Sequence, residues 1–264
     1  MSPAKPAKRF VIYADFNCPF CYALNELVHA MNLEHQVEWR SIEHAVNASS
    51  NLCSFESLSE LAAEVSEVRR RTPATDIRVP VFRPSSGPAS KVVAHAARID
   101  PVKAAGLRRA IYRALWVDAV DISDAEVLQK LQREHDLELP DADDAVEAEL
   151  AQWQSQWDGT ESFDRNIPVT LDQSGATMIG LPSQAELETF LQSGVHNAVS
   201  EIYAVCAMKP RQRMLVLESN VAVVKMIIEQ MRNYQVEVVA NCTDLGIHIQ
   251  AHGVPDLLLL DEST

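Results

Sequence analysis

Residues 9–21 read RFVIYADFNCPFC, and this stretch decides the fold. Its first half is rich in β-branched and aromatic side chains, which is typical of a buried strand. Pro19 suits the first position of a helix, where a missing N–H costs nothing. Val37 to Ile42 alternates apolar and polar residues and predicts a second strand. The sequence therefore predicts a strand–helix–strand unit with parallel strands and a right-handed crossover.

Two cysteines, Cys18 and Cys21, open the predicted helix, with Pro19 and Phe20 between them. The first lies at the positive end of the helix dipole, which favours a thiolate, and thiol pKa values in such motifs fall to roughly 3.5–7.5. The spacing allows the second sulfur to close a disulfide, so the pair suits thiol–disulfide exchange. Zinc binding is the alternative. Zinc usually needs four ligands, and no second Cys-x-x-Cys or finger-spaced histidine pair follows, so we expect no metal.

The middle of the chain, about residues 55–157, reads mostly as helices. Ser123, with Glu126 three residues later, is typical of a capping box. Residues 72–88 are rich in Pro, Ser and Gly and predict an irregular loop, and long loops in compact domains often border a site. The predicted helices before that box are Ser57–Arg71, Ser90–Ile99 and Pro101–Val117.

The pattern returns to strands after Gly159. Ile167 to Leu171 and Ala176 to Ile179 flank a turn and predict a hairpin. Ser183 with Glu186 is typical of a second capping box. A last helix is predicted over residues 195–208.

Three segments together resemble the DsbA-like thioredoxin superfamily: YADFNCPFCYALNEL, VEWRSIEHA and IPVTLDQSGATMIGLPSQAELETFL. The resemblance is nearest to the cytoplasmic branch of FrnE-type dithiol oxidoreductases and 2-hydroxychromene-2-carboxylate isomerases, and it covers about residues 8–208. It implies an α/β thioredoxin fold with a helical domain, about residues 55–157, inserted between its halves. It also implies oxidoreductase activity, with Cys18 as nucleophile and Cys21 as resolving thiol.

The same resemblance implies a substrate-binding surface. Pro168 would be a cis proline that faces the cysteines, and the peptide before it, at Ile167, would offer backbone hydrogen bonds to the substrate. Pro19 and Phe20 would complete this surface. The family often has Gly-Val-Pro-Thr where this chain has Asn166-Ile167-Pro168-Val169, so the bulky Ile167 is expected to alter the groove.

Two further departures concern the chemistry of the cysteines. Periplasmic oxidases of the family carry histidine where this chain has Phe20, which cannot place a positive charge beside the Cys18 thiolate, so we expect a less oxidising site. Thioredoxins carry a buried carboxylate on the strand before the motif, whereas the corresponding position here, Ile12, is apolar. We expect Asp15 to start the loop rather than to act as a base.

Glutathione is the one co-substrate that the resemblance suggests, and otherwise we expect no cofactor. The isomerase branch uses glutathione and typically replaces the first cysteine with serine, so the presence of both cysteines disfavours that chemistry. Arg69–Arg71 and Arg78 are able to hold an acidic ligand, although such residues are more often solvated.

Residues 214–264, after a linker at 209–213, predict a β-α-β-α-β order. This segment resembles the first half of a response-regulator receiver, a flavodoxin-like doubly wound fold. Asp261 matches the phosphoacceptor, and Glu218 matches one of two acids that hold magnesium. Because Ser219 stands where the second acid is usual, any magnesium site would be weak.

The later receiver strands, with their hydroxyl and lysine, do not follow, so we interpret the segment as a truncated or degenerate receiver. Leu257–Leu260 is typical of a strand covered on both faces. In a truncated unit it would lie at the sheet edge, where it would pair with a second copy or pack on the first domain.

Composition restricts the function classes. The chain has 264 residues and a net charge of −14, with two basic and fourteen acidic residues in residues 118–161. Such acidity disfavours nucleic-acid binding, and no apolar run is long enough to span a membrane. The N-terminus lacks a signal-like apolar stretch, and the five cysteines have no framework spacing, so we expect a cytoplasmic protein.

The three cysteines outside the Cys18–Cys21 pair are expected to be bystanders. We expect Cys53 in a loop and Cys206 and Cys242 in the core.

Three hypotheses follow. The first is a cytoplasmic thiol–disulfide oxidoreductase acting on a protein substrate or glutathione. The second is a redox-sensing signalling protein that couples the dithiol domain to the receiver-like segment. The third is a glutathione-dependent isomerase or transferase.

Overall fold

The computed structural model divides the chain into two compact units, residues 1–208 and 209–264. Each unit is described by itself. The structure describes residues 10–44, 55–139, 144–193, 206–207, 212–230, 234–252, 254–255 and 257–260.

The first unit is built on a four-stranded mixed sheet of order β2-β1-β4-β5. β1 and β2 are parallel, with Phe10 opposite Val37, whereas β4 is antiparallel to both β1 and β5. The strand–helix–strand unit and the hairpin predicted from the sequence are therefore confirmed. The strands of this unit are β1 (Phe10–Ala14), β2 (Val37–Ser41), β3 (Asn166–Ile167), β4 (Val169–Asp172), β5 (Thr177–Ile179) and β6 (Cys206–Ala207).

Helix α1 connects β1 to β2, and the described residues between β2 and β3 form five α-helices, as the resemblance implies. One hydrophobic cluster contains side chains from both the sheet and these inserted helices, including Ile12, Tyr112, Trp116 and Trp157. The insertion therefore shares its core with the sheet. The helices are α1 (Pro19–Ala30), α2 (Phe55–Arg71), α3 (Gly87–Ile99), α4 (Pro101–Trp116), α5 (Ala125–Glu134), α6 (Asp144–Gly159) and α7 (Gln184–Ser193).

Two helix starts were predicted from capping boxes, and one of them was wrong. The N-cap of α5 is Asp124, whose side chain accepts from the Glu126 N–H, so the prediction of Ser123 was off by one residue. Ser123 instead donates its hydroxyl to Asp121. The box before α7 is confirmed: Glu186 accepts from the Ser183 N–H, and the Ser183 hydroxyl accepts from the Glu186 N–H.

The predicted helix over residues 195–208 falls mostly outside the described residues. Where the chain is described, Cys206–Ala207 forms β6, an antiparallel partner of β3, so helix was wrong there. A two-residue pairing with β3 prevails over a local helical pattern because β structure depends on partners distant in sequence.

The second unit has three parallel strands in the order β8-β7-β9. Asn220, a residue type that the sequence alone favours as a helix N-cap, caps α8 and accepts from the Ala222 N–H. The predicted linker is shorter, because Gln212 and Arg213 already pair with β8. The elements are β7 (Gln212–Leu217), α8 (Val221–Gln230), β8 (Tyr234–Val239), α9 (Cys242–His252) and β9 (Leu257–Leu260).

The core of the second unit is small. Leu215, Leu217 and Val239 form its buried cluster among the described residues. All four leucines of β9 are exposed, so this strand is not covered on both faces but lies at an edge of the three-strand sheet. Cys242, expected in the core, is exposed at the start of α9.

None of the described helices combines the length and the apolar character needed to cross a bilayer.

Candidate active site

Cys18 is the N-cap of α1 and Pro19 is its first residue. The backbone N–H of Cys21 points to the Cys18 sulfur, with 3.4 Å from nitrogen to sulfur. Neither cysteine is in a disulfide. The sulfur of Cys18 thus receives a backbone N–H at the positive end of a helix, an arrangement that stabilises a thiolate.

The residues predicted to contact the substrate lie around this helix start, and all of them are buried. Pro19, Phe20, Ile167 and Pro168 are buried, and both cysteines have 0% exposure. Both cysteines are therefore shielded from solvent in this structure.

The Ile167–Pro168 peptide bond is cis, as the resemblance implies. Tyr13 is opposite Val169 in the sheet, so Pro168 lies at the end of the sheet where the chain leaves β1 for Cys18. The carbonyl of Pro168 accepts from the Gly180 N–H at 2.8 Å, which fixes this corner to the hairpin.

Asp15, three residues before Cys18, is a fully buried carboxylate with four hydrogen-bond donors. Oδ1 accepts from the Asn17 N–H at 3.0 Å, and Oδ2 accepts from the His44 N–H at 2.9 Å and from His44 Nδ1 at 2.7 Å. Burial alone would raise the pKa of Asp15. The hydrogen bond and charge of His44, the Asn17 N–H and the Ser86 hydroxyl outweigh burial and lower this pKa below its usual value. Asp15 therefore begins the loop, as expected from the sequence. Its carboxylate is ionised, buried and paired with His44.

Sequence analysis did not identify His44. Its Nδ1 carries a proton, because an ionised carboxylate only accepts hydrogen bonds. His44 follows β2 by three residues, and β2 is parallel to β1, so the carboxyl ends of the two strands bring His44 beside Asp15. The signal available from the sequence was that His44 and Asp15 each follow one of two strands predicted to be parallel, although the register that pairs the two side chains was not.

The loop between β1 and α1 is held by helix α4. The Tyr112 hydroxyl donates to the Asp15 carbonyl at 3.2 Å, and the Trp116 indole N–H donates to the Phe16 carbonyl at 2.9 Å. Burial raises the pKa of Tyr112 well above its ordinary value, and negative charge on Cys21, Cys18 and Asp15 raises it further. Tyr112 therefore stays protonated and keeps its donor role beside the cysteines.

The irregular loop over residues 72–88 borders the site, as its length predicted. Its Pro84 carbonyl accepts from the Asn17 side chain, and Arg83 donates to the Asn17 carbonyl at 3.3 Å. Arg83 also pairs with Glu64 at 2.7 Å, which anchors this loop to α2.

A second acid, Glu43, lies close to Asp15. Burial and the charge of Asp15 raise the pKa of Glu43, while Lys91 opposes that rise. A Cβ atom at Gly87 would come within 2.6 Å of Glu43 Oε1, so the glycine makes room for this carboxyl. Two neighbouring carboxyls thus have pKa values shifted in opposite directions.

The arginines suggested for glutathione have other partners. Arg70 and Arg71 both pair with Glu67 at 2.7 Å, and Arg69 donates to the Ile77 carbonyl at 2.8 Å. Arg78 is exposed.

Metal ligands are not gathered in the described part of the chain: no group of three or more His, Cys, Asp or Glu side chains there is able to hold a metal ion. Glu218 accepts from the Asn220 N–H at 2.6 Å within its own turn. Asp261 and Cys53 lie outside the described residues.

A mixed sheet that places a Cys-x-x-Cys pair at the start of the helix after β1, opposite a cis proline, defines a thioredoxin-like protein. A family model described as the DSBA-like thioredoxin domain matches residues 9–156. The match covers more than half of the chain, which therefore belongs to the DSBA-like thioredoxin family.

Solved structures give the same fold. A protein assigned as a disulfide isomerase of Nitrosomonas europaea superposes with a TM-score of 0.55 and 16% identity, over 71% of this chain and 100% of that one. The cytosolic disulfide reductase DsbM of Pseudomonas aeruginosa superposes with a TM-score of 0.52 and 16% identity, over 70% of this chain and 97% of that one. A comparison with curated proteins finds no match. At this level of identity the likenesses show the fold alone.

Proposed function

We propose that this protein is a thiol–disulfide oxidoreductase that uses Cys18 and Cys21 as its dithiol. The observation that carries the proposal is the placement of the Cys18 sulfur as the N-cap of α1, where it receives the Cys21 N–H. A backbone N–H and the helix dipole both favour the thiolate, which is the attacking species in disulfide exchange.

The proposed reaction proceeds in two exchanges. The Cys18 thiolate attacks one sulfur of the substrate disulfide, so a Cys18–substrate disulfide forms and the other substrate sulfur leaves as a thiolate. Cys21 then loses its proton and attacks the Cys18 sulfur. A Cys18–Cys21 disulfide forms, the second substrate thiolate leaves, and two electrons have passed to the substrate.

The proposed direction is reduction or isomerisation of disulfides rather than strong oxidation. Phe20 and Pro19 are uncharged and buried, and the first turn of α1 contains no acidic residue. Pro19 and Phe20 therefore place no cation between the two cysteines, so a contribution to thiolate stabilisation from that position is missing. The reduced form is then stabilised less than in a strongly oxidising site.

Insulin reduction and glutathione-disulfide reduction test the proposal. Wild type is expected to turn over at least one of these two substrates. Cys18→Ser is expected to abolish turnover, whereas Cys21→Ser should trap a mixed disulfide with the substrate. Turnover that survives in Cys18→Ser would contradict the proposal. A glutathione-dependent isomerase would instead tolerate Cys18→Ser in its own reaction, because that branch typically has serine in place of the first cysteine.

The second candidate function is redox signalling through residues 214–264. The parallel order β8-β7-β9 favours it, because the first three strands of a doubly wound receiver are arranged in this way. The exposed edge strand β9 supports pairing with a second copy. Oligomeric state measured by light scattering on the oxidised and reduced protein tests this candidate. A full-length protein that is monomeric both oxidised and reduced, and that stays monomeric when residues 212–264 are deleted, would contradict it.

We propose that the protein works in a reducing compartment such as the cytoplasm. The odd number of cysteines supports this location, because an oxidising compartment favours paired cysteines in a disulfide framework.

A further inference from the structure

Arg108 on α4 is a buried cation without a carboxylate partner. It is 6% exposed, and among the described residues no carboxylate lies within ion-pair distance of its guanidinium. Nε donates to Asn25 Oδ1 at 2.8 Å, and the guanidinium lies 4.4 Å from the centre of the Trp39 ring. Burial lowers the pKa of Arg108 to about 10, so the group is still charged at neutral pH. The charge of Glu34 offsets part of the burial effect, but a buried charge without a hydrogen-bonded anion is still costly, which makes the arrangement suited to a bound anion.

Arg108 lines a cavity of about 270 Å³ between β2, α3, α4 and α6. Since Nε is engaged by Asn25, the two terminal nitrogens are the groups left to bind a ligand. Their parallel N–H bonds match the two oxygens of one carboxylate.

A second orphaned polar group borders the same cavity. The indole nitrogen of Trp39 is buried and has no hydrogen-bond partner among the described residues. The charged guanidinium of Arg108 and the neutral indole N–H of Trp39 therefore both border this cavity as donors available to a ligand.

The rest of the lining restricts the ligand. Glu34, Glu38 and Glu149 line the cavity together with Arg98, and this excess of acids disfavours an anion with more than one negative charge. Trp39 and Trp153 supply aromatic surface suited to an apolar body.

We propose that this cavity binds a small monocarboxylate with an apolar or aromatic body, whose carboxylate pairs with Arg108. The site is separate from the cysteines. Tyr112 lies one turn further along α4, and its ring centre is 6.1 Å from that of Trp39. Its hydroxyl donates to the Asp15 carbonyl in the loop before Cys18. Helix α4 would therefore contact both the ligand and that loop.

Isothermal titration calorimetry with benzoate as the probe tests the site without any redox turnover, so its outcome does not depend on the proposed thiol chemistry. Saturable binding to wild type is expected, whereas inorganic phosphate should bind much more weakly. Arg108→Met should weaken benzoate binding by about tenfold or more, because a charge-assisted pair is lost.

Three further variants sharpen the result. Ala97→Trp adds bulk at an exposed position of the cavity lining while Arg108 stays in place, and it should abolish binding. Arg133→Met removes the same charge from an exposed position on α5, and it should bind benzoate like wild type. Arg108→Lys keeps the positive charge but loses the two parallel N–H donors of the guanidinium, so it should bind benzoate more weakly. It replaces Arg108→Met in the test if Arg108→Met does not fold. Absence of saturable binding to wild type, equal binding by the Arg108 variants, or a preference for phosphate would overturn the proposal.

Discussion

The imidazole of His44 donates to the Asp15 carboxylate at 2.7 Å, and both side chains are almost completely shielded from solvent. Asp15 lies three residues before Cys18, and its carbonyl accepts from the Cys18 N–H at 3.2 Å. The pair therefore fixes the residue from which the active-site loop starts.

Replacing Asp15 should destabilise the protein strongly. Asp15→Ala removes the acceptor of four donors, and losing one member of a buried pair costs about 3–5 kcal/mol. His44→Ala should cost less, about 1–3 kcal/mol, because the Asn17 and His44 backbone donors remain. Urea unfolding at pH 7 measures both. Glu43→Gln is the matched control, and an Asp15→Ala protein as stable as this control would show that the pair contributes nothing.

Stability should fall in acid because of Asp15. Its pKa is lower in the folded protein than in the unfolded chain, so its contribution is complete above the unfolded value near 3.8 and is lost as the pH falls through the folded value. Glu43 acts in the opposite direction, since its raised pKa makes the folded state more stable once it is protonated. Two proteins that both carry Glu43→Gln are therefore compared, one with Asp15 and one with Asp15→Asn. We expect the free energy of unfolding to fall less in acid for the protein with Asp15→Asn. Unfolding free energies between pH 7 and pH 3 test this, and parallel curves would count against it.

The Tyr112 hydroxyl should affect the active-site loop as well as stability. Tyr112→Phe removes one donor to the Asp15 carbonyl and should cost about 0.5–1.5 kcal/mol. Tyr22→Phe removes a hydroxyl that donates to the Asp76 carbonyl at 2.8 Å, outside the loop, and is the matched control. Only Tyr112→Phe should also change the alkylation rate of Cys18. Equal alkylation rates of Cys18 in the two variants would show that the Tyr112 hydroxyl contributes to stability alone.

The start of α5 offers a local test of capping. Asp124→Ala should cost about 0.5–2 kcal/mol, because the first turn loses its acceptor. Ser123→Ala, one residue earlier, should stay within about 0.5 kcal/mol, since Ser123 binds only Asp121. Thermal unfolding of the two variants distinguishes them, and a larger loss in Ser123→Ala would favour the capping box read from the sequence.

Thiol labelling should separate the cysteines by burial. Cys242 is exposed, whereas Cys18 and Cys21 have no exposed surface. Brief iodoacetamide treatment of the native protein should modify Cys242 first, and the peptide containing Cys18 should react fast only after unfolding in guanidinium. Mass spectrometry of the labelled peptides gives both rates. Rapid native labelling of Cys18 would mean that the closed site opens readily.

Local patterns predicted much of the fold. The apolar run before Cys18, the proline after it and the capping residues Ser183 and Asn220 each act within a few residues of sequence. Their consequences are therefore readable from the chain. The first strand, the start of α1, the hairpin and the caps of α7 and α8 all agree with those patterns.

Contacts between distant residues were not readable in the same way. His44 pairs with Asp15 across 29 positions, and Arg108 contacts Asn25 across 83. Such pairs depend on strand register and helix packing, which composition and periodicity do not encode. For the same reason the exposure of Cys242 and the strand at Cys206 differ from their local apolar patterns, since burial is decided by what the rest of the fold places nearby.

Tyr112 and Trp116 belong to the helical insertion, yet the carbonyls they bind belong to the loop that carries Cys18. The insertion is therefore not a removable module. A shortened protein in which β2 is joined directly to β3 would leave the Phe16 carbonyl without its indole donor and the Asp15 carbonyl with the Cys18 N–H alone, and it would expose the aromatic side chains beside them. In hydrogen exchange the loop amides and helix α4 should accordingly open as one cooperative unit, which makes the inserted helices part of what keeps the loop before Cys18 rigid.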